Sequence, residues 1–204
     1  MNYPSTIQKL IECLKKIPGI GEKTAERYAL AILKLDQDVI EQFSKSILDT
    51  KIKIRKCNIC NNLTESDICD ICKSDTRNKN ILCVVEDPKS IVLFEKIGSY
   101  NGYYHVINGL ISPLDGINPE DIEIDKLLDR IKNNNIHEVI LAVKPSIEGE
   151  TTSLYISRML KDYDVVVSKI AHGIPLGTDI DYVDSLTLEL ALENRKKIVN
   201  ESNI

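Results

Sequence analysis

The sequence lacks any long hydrophobic run, since no apolar stretch approaches the roughly 18 residues that a membrane-spanning helix needs. Its first residues, Met1-Asn2-Tyr3-Pro4, lack the basic-then-apolar pattern of a secretory signal peptide. Internal repeats and low-complexity tracts are also missing, and 43% hydrophobic residues are enough to build a buried core. We therefore expect a cytoplasmic protein of one large or two small domains.

The chain also lacks an overall excess of positive charge. Its formal net charge is −5, so bulk charge alone does not predict nucleic-acid binding. The charge is distributed unevenly, however. Residues 1–79 hold 14 Lys and Arg against 11 Asp and Glu, whereas residues 80–204 hold 12 against 20. This asymmetry predicts a front half that can meet a polyanion and an acidic back half with another task.

A phosphate-binding sequence and a cluster of histidines are also missing. The Gly- and Pro-containing segment 168–177 has no complete Gly-Lys-Ser/Thr sequence, so ATP binding there is not predicted. His105, His137 and His172 are scattered, and we interpret each as structural or solvated. The basic end Arg195-Lys196-Lys197 is interpreted as a solvated helix end or a weak DNA contact.

Hydrophobic periodicity changes character along the chain. Apolar positions at helical spacing predict three helices, at 5–16, about 22–34 and about 38–48. Later, short continuous apolar runs are typical of strands buried on both faces, at 81–85, 104–107, 138–143 and 164–167. Helical stretches alternate with them, near 88–97, 120–133, 151–161 and 184–197. This alternation predicts a largely parallel α/β sheet behind a helical front segment.

Four of the six cysteines lie within sixteen residues, as Cys57-x2-Cys60-x8-Cys69-x2-Cys72. Two Cys-x2-Cys pairs at this spacing can offer four thiolates tetrahedrally to Zn²⁺. Four protein ligands leave no open position for water, so the pattern predicts one structural zinc ion. The alternative is four free or redox-active thiols. Cys13 and Cys83 fall on apolar faces and are predicted to be buried.

The segment Ile17-Pro18-Gly19-Ile20-Gly21 separates the first two predicted helices. We expect Gly19 and Gly21 to form a tight turn with positive φ, leaving backbone N–H groups of the next helix open to a phosphate. Lys23 and Arg27 are four residues apart and share a face of that helix, where both can contact phosphates. The pattern predicts a helix-hairpin-helix that binds DNA without sequence preference; a plain glycine turn between core helices is the alternative.

Acidic residues follow two of the predicted strands. Glu86 comes directly after the strand 81–85, and Glu148-Gly149-Glu150 follows the strand 138–143. The carboxyl ends of parallel strands meet at the edge of a sheet where ligands bind, and carboxylates there can hold Mg²⁺. The arrangement resembles the Toprim domain of topoisomerases and primases. No activated nucleophile accompanies it, because Tyr100, Tyr103 and Tyr104 are predicted to pack.

Taken together, these motifs resemble the RecR family of bacterial recombination mediator proteins over nearly the whole chain. The segments that carry the resemblance are the hairpin, the four cysteines, Val84-Val85-Glu86, 111–117, Glu148-Gly149-Glu150 and 171–177. The resemblance implies a multi-module α+β and α/β protein with a helix-hairpin-helix at 1–56, a four-cysteine zinc finger at 57–72, a Toprim domain at 80–170, and a Walker B-like stretch with a helical tail at 171–204.

The resemblance also implies a function without catalysis. Family members form ring-shaped homotetramers, or dimers, that clamp single-stranded or double-stranded DNA near the nucleoid. They act with RecO, and in many bacteria RecF, to load RecA onto strands coated by single-strand-binding protein. The positions matching Lys23 and Arg27 contact DNA in the family, and those matching Glu148 and Glu150 contact RecO.

The chain departs from the family pattern on both sides of the acidic tripeptide. The family usually has Asn-Pro-Thr before its acidic tripeptide, and this chain has Lys144-Pro145-Ser146; Thr151 stands where Ala is usual. A lysine beside the acids argues against Mg²⁺ at that site. The rival interpretation is a Mg²⁺-dependent Toprim nuclease that uses Glu86, Glu148 and Glu150. A zinc-stabilised scaffold that never touches DNA is a further alternative.

Overall fold

The structure, a computed structural model, describes residues 3–171 and 173–195. The predictions for His172, Lys196 and Lys197 lie outside these residues. The chain divides into two compact units, Met1–Ile54 and Arg55–Ile204. No helix among the described residues has both the length and the apolar character needed to cross a membrane.

The first unit consists of three helices: α1 at Ser5–Lys15, α2 at Glu22–Ile32 and α3 at Gln37–Lys53. The apolar stripe of α1 packs against α2, which contributes Ala25 and Ala29 to the core; both are fully buried. Small side chains on α2 let the two helices approach closely. The predicted helical hairpin is confirmed.

Two expectations for this unit are wrong. Cys13 is exposed, because it lies off the stripe through which α1 meets α2. The third helix is longer than predicted and continues to Lys53, and none of its described residues is buried. Its apolar side chains face solvent instead; Phe43 is 51% exposed and Ile47 is 55% exposed.

The second unit begins with a small antiparallel pair, β1 at Arg55–Lys56 and β2 at Leu63–Thr64, followed by the short helix α4 at Asp70–Lys73. A four-stranded sheet follows in the order β4-β3-β5-β6, and every pairing in it is parallel. Its strands are β3 at Asn78–Val85, β4 at Gly102–Val106, β5 at Glu138–Ala142 and β6 at Val166–Lys169. The predicted parallel α/β sheet is confirmed.

Helices connect these strands, as the crossover of parallel strands requires. The described elements are α5 at Pro88–Ile97, 3-10 helices at Pro113–Asp115 and Pro119–Ile122, α6 at Ile124–Asn133, α7 at Ile147–Met159, a 3-10 helix at Ile180–Tyr182 and α8 at Ser185–Glu193.

Alternation along β3 sends successive side chains to opposite faces of the sheet and creates two cores. Leu82 and Val84 belong to the larger core, which α6 and α7 also line. Cys83 and Val85 belong to the smaller core on the other face, with Ile91 of α5. Cys83 is therefore buried as predicted, and burial raises its pKa to about 12.

The strand β4 lies at an edge of the sheet, yet all five of its residues are buried. The segment that carries the cysteine cluster covers the carboxyl end of this edge, where the Val106 N–H donates to the Cys60 carbonyl oxygen at 2.9 Å. At that end the strand cannot pair with a foreign strand. The cysteine segment is thus joined to the sheet by backbone hydrogen bonding.

Candidate functional site

The four clustered cysteines converge as their spacing predicts. Cys57 and Cys60 lie in the turn between β1 and β2, Cys69 precedes α4, and Cys72 lies within it. Their sulfur atoms all lie within 4.8 Å of one another, and the Cys60 and Cys69 sulfurs are 3.5 Å apart. Four thiolates around Zn²⁺ at about 2.3 Å stand roughly 3.8 Å from each other, so this donor set fits a tetrahedral zinc ion.

Local hydrogen bonds shape this turn for metal binding. The Cys69 backbone N–H donates to the Cys57 sulfur at 3.3 Å, which orients a ligand and disperses thiolate charge. A hydrogen bond from Cys60 lowers the pKa of Cys69, and the same bond raises the pKa of Cys60. Zinc displaces the protons of such thiols when it binds, because thiolates are the ligands. The site holds one structural zinc ion.

The glycine turn between α1 and α2 forms as expected, with one correction. Gly19 has φ +83°, the left-handed conformation that favours glycine, but Gly21 has φ −85° and needs no such freedom. Gly21 instead occupies the N-cap of α2, and a β-carbon built on it would meet no heavy atom within 4 Å. The turn itself does not require glycine at position 21. The absence of a side chain there instead leaves open space in front of the first turn of α2.

The first turn of α2 offers unsatisfied donors to that space. The Ala25 N–H closes the first helical bond on the Gly21 carbonyl, and no side chain caps the helix. The N–H groups of residues 22–24 therefore lack intrahelical acceptors, and a helix N-terminus of this kind attracts anions. Lys23 and Arg27 are both exposed, and within the described residues neither pairs with a carboxylate. Lys15 bridges the hairpin to Glu22.

The acidic residues do not meet at one point. Glu86 and Glu148 line a common cavity of about 550 Å³, hereafter the acidic cavity, together with Lys144. The Lys144 backbone N–H donates to Glu86 at 3.2 Å, which fixes the Glu86 carboxylate at the mouth of the strands. Glu150 lies two residues beyond Glu148 on α7, about 200° around the helix. It pairs with Lys169 of β6 at 2.8 Å and lines two other cavities.

The rival nuclease interpretation needs Glu86, Glu148 and Glu150 around one Mg²⁺, and this division places Glu150 apart from the other two. Within residues 3–171 and 173–195, the cysteines are the one group of three or more metal-ligating side chains that come together. A Ser146 hydrogen bond, with the Lys144 charge, lowers the pKa of Glu148, which favours the charged carboxylate. The acidic cavity is therefore a charged, open surface rather than a preformed metal cage.

Sequence reasoning missed several residues of the cavity. Asp87, Asn108 and Asp115 also line it. Asp87 adjoins Glu86 and was visible from the sequence. Asn108 and Asp115 come from the connection after β4, and only the folded chain brings that connection beside α7. Tyr104 is fully buried, and burial raises its pKa, as expected for packing residues.

Comparison with protein families follows the same order along the chain. A model described as RecR, helix-hairpin-helix matches residues 7–51, and one for the RecR zinc finger domain with four cysteines matches residues 54–74. A Toprim domain model matches residues 80–171, and one described as RecR, C-terminal matches residues 173–196. The four matches are consecutive and cover most of the chain.

Proposed function

The chain belongs to the RecR family, a family of recombination mediators in DNA repair, and on that premise we propose that it is a non-catalytic DNA clamp and adaptor. It binds single-stranded and double-stranded DNA, acts with RecO and, where present, RecF, and helps load RecA onto coated single strands. Its place of action is the nucleoid in the cytoplasm. One observation carries the proposal: α2 begins directly after Gly21 with no side-chain cap, and it exposes Lys23 and Arg27 near that end.

DNA binding is argued from the hairpin. Open donors at the start of α2, with Lys23 and Arg27 on its exposed surface, suit backbone phosphates and ignore base identity. Arg27 lies over the Tyr28 ring at 5.3 Å, which restrains the guanidinium. The helix-hairpin-helix and the zinc finger both support DNA binding by this chain.

Gly21 provides the sharpest test. Because a side chain there meets open space and φ is −85°, Gly21→Val should leave the fold intact and obstruct only an incoming phosphate. We expect weaker binding to labelled single-stranded DNA at an unchanged melting temperature. Gly173→Val, at an exposed glycine where an added β-carbon also meets no heavy atom within 4 Å, is the matched control. Equal affinity of the Gly21→Val protein and wild type would contradict the proposed interface.

The partner site is argued from the acidic cavity. Its carboxylates Glu86, Asp87 and Glu148 are partly exposed and suit a basic surface of RecO. Glu150 is less suited, because Lys169 already neutralises it. We therefore expect Glu148→Lys to weaken RecO binding more than Glu150→Lys does, with DNA affinity unchanged in both. The reverse ranking in a pull-down or titration would exclude this cavity as the docking site.

A direct assay separates the adaptor from the Toprim nuclease. Purified protein is mixed with gapped duplex DNA, with and without Mg²⁺ and RecO. We expect intact DNA and a complex strengthened by RecO, because the carboxylates are not grouped around a metal position. Mg²⁺-dependent cleavage that disappears in Glu86→Gln would establish the nuclease and overturn the adaptor.

Self-association is argued from exposed apolar surface. Phe43 and Ile47 lie on one face of α3, and Leu186 of α8 is 62% exposed. Exposed apolar side chains grouped on a helix face mark protein interfaces. We propose that these faces join copies of the chain into a homotetramer or dimer. Light scattering should show a smaller assembly for Phe43→Asp and not for Lys45→Asp, a change on the opposite face of α3.

A further inference from the structure

Three residues other than glycine adopt a left-handed backbone among those the structure describes. They are Asn61 at φ +61°, Asn108 at φ +58° and Glu123 at φ +54°. Such conformations are uncommon for residues with side chains, and they persist where surrounding contacts hold them. The three positions are far apart in the sequence, yet they belong to one connected network.

The network begins at the zinc site. Asn61 directly follows the ligand Cys60 and is 1% exposed. Its side-chain amide donates to the Val106 carbonyl at 2.9 Å, while the Val106 N–H donates to the Cys60 carbonyl at 2.9 Å. Lys126 of α6 donates to the Asn61 side-chain oxygen. The turn that carries two zinc ligands is thereby fastened to the end of β4.

The network continues through Glu123. One of its carboxylate oxygens accepts from Asn108 at 3.2 Å, and the other accepts from Lys56 at 3.4 Å. Lys56 immediately precedes the ligand Cys57, and Asn108 lies two residues beyond Val106. Glu123 therefore joins the start of the zinc finger to the connection that follows β4.

The network ends at the acidic cavity, because Asn108 lines its wall together with Glu86 and Glu148. The clasp is our name for four of its residues: Asn61, Asn108, Glu123 and Lys126. We propose that zinc binding sets the shape of the acidic cavity through the clasp. The functional consequence, that zinc and the protein partner bind cooperatively, rests on the proposed docking role of the cavity.

The physical basis is that zinc orders the turn at residues 57–61, since metal binding and local folding share one free energy. Without this order the Asn61 side chain keeps only Lys126 as a hydrogen-bond partner, and Val106 loses two hydrogen bonds. Asn108 is then held by Glu123 alone. Coupling between two sites is reciprocal, so a partner that prefers the ordered cavity must tighten zinc by the same factor.

Amide hydrogen exchange in the zinc-loaded protein tests the clasp directly. Glu123→Ala removes the link to both Lys56 and Asn108 and leaves the cysteines in place. We expect faster exchange in peptides covering residues 106–112, by about tenfold, the change that roughly 1.4 kcal/mol of lost interaction gives. Zinc content should stay at one ion per chain. Glu120→Ala, an exposed carboxylate in the same connection, is the matched control and should change nothing there.

A second variant changes the residue of the clasp that adjoins the zinc ligand Cys60. Asn61→Gly keeps the left-handed backbone accessible and removes the side-chain hydrogen bonds to Val106 and Lys126. It should also speed exchange at 106–112 and hasten zinc release to a chelator. If exchange rises only within 55–74 in both variants, or does not rise at all, the zinc site and the cavity are independent and the proposal is wrong.

Titration with RecO separates this proposal from the proposed function. Faster amide exchange at 106–112 together with weaker RecO binding by Glu123→Ala supports both the clasp and the docking role of the cavity. If exchange is faster in Glu123→Ala but the wild-type protein does not bind RecO, the clasp is supported and the docking role is refuted. Unchanged exchange refutes the clasp whatever the RecO titration shows.

Discussion

Acid should destabilise the second unit through a single buried histidine. His105 on β4 is fully buried, its Nε2 has no hydrogen-bond partner among the described residues, and Arg130 lies 3.5 Å from its Nδ1. Burial, with the nearby charges of Arg130 and Lys126, lowers its pKa from 6.5 to about 3. The ring is therefore neutral in the folded protein at pH values where an unfolded chain would protonate it.

The sign and size follow from linkage. Because the folded pKa is depressed, the unfolded state binds more protons between pH 6.5 and about 3, and the free energy of unfolding falls as pH falls through that window. At pH 5 the loss is about 2 kcal/mol, since each unit below 6.5 contributes roughly 1.4 kcal/mol. Above pH 7 the same group contributes no pH dependence.

Urea unfolding at pH 7.5 and pH 5.0, at fixed free zinc, measures this loss. His105→Phe keeps a planar ring in the core and removes the titrating group, so its stability should fall about 2 kcal/mol less than that of wild type between the two pH values. Zinc release in acid affects both proteins and cancels in the comparison. His137→Gln, at an exposed position, controls for the loss of a histidine as such. Equal losses in His105→Phe and wild type would refute the reasoning.

Other substitutions test the remaining sites. Replacing Lys23 and Arg27 by Gln should flatten the salt dependence of single-strand affinity by about 0.7 in log–log slope per lost phosphate contact, measured by fluorescence anisotropy; an unchanged slope would contradict the predicted contacts. Cys57→Ser should reduce zinc below one ion per chain by metal analysis and raise proteolysis within 55–74. Gly149→Ala should destabilise the second unit by more than about 1 kcal/mol in urea unfolding, because its β-carbon would stand 1.9 Å from the Lys144 carbonyl oxygen; wild-type stability would contradict that contact.

Local patterns were sufficient for much of this protein. Cys57 and Cys60 are close in sequence and need only a turn to face each other, so spacing alone predicts a metal site. The helices of the first unit follow from apolar spacing, and the strands from short buried runs. The assignment of Lys23 and Arg27 to DNA, and of the domain limits at 56, 72 and 170, stays a prediction.

Other features depend on which elements the fold places side by side. Glu148 and Glu150 look like one acidic motif in the sequence, but a helix turns 100° per residue and sends them to different surfaces. Cys13 has apolar neighbours along the chain, yet only the packing of α1 on α2 decides which side of the helix is buried.

The division between sequence and tertiary structure has a simple physical reason. Metal spacing, glycine turns and hydrophobic periods are interactions between residues a few positions apart, and the chain's covalent geometry fixes them wherever it folds. The clasp joins Asn61 to Val106 and Asn108 to Glu123, and the partners in each pair carry no mutual signal in the sequence. Their contact exists because the parallel sheet ends β4 beside the zinc turn. The sequence thus determined which modules are present, and the tertiary structure decided how the zinc site reaches the acidic cavity.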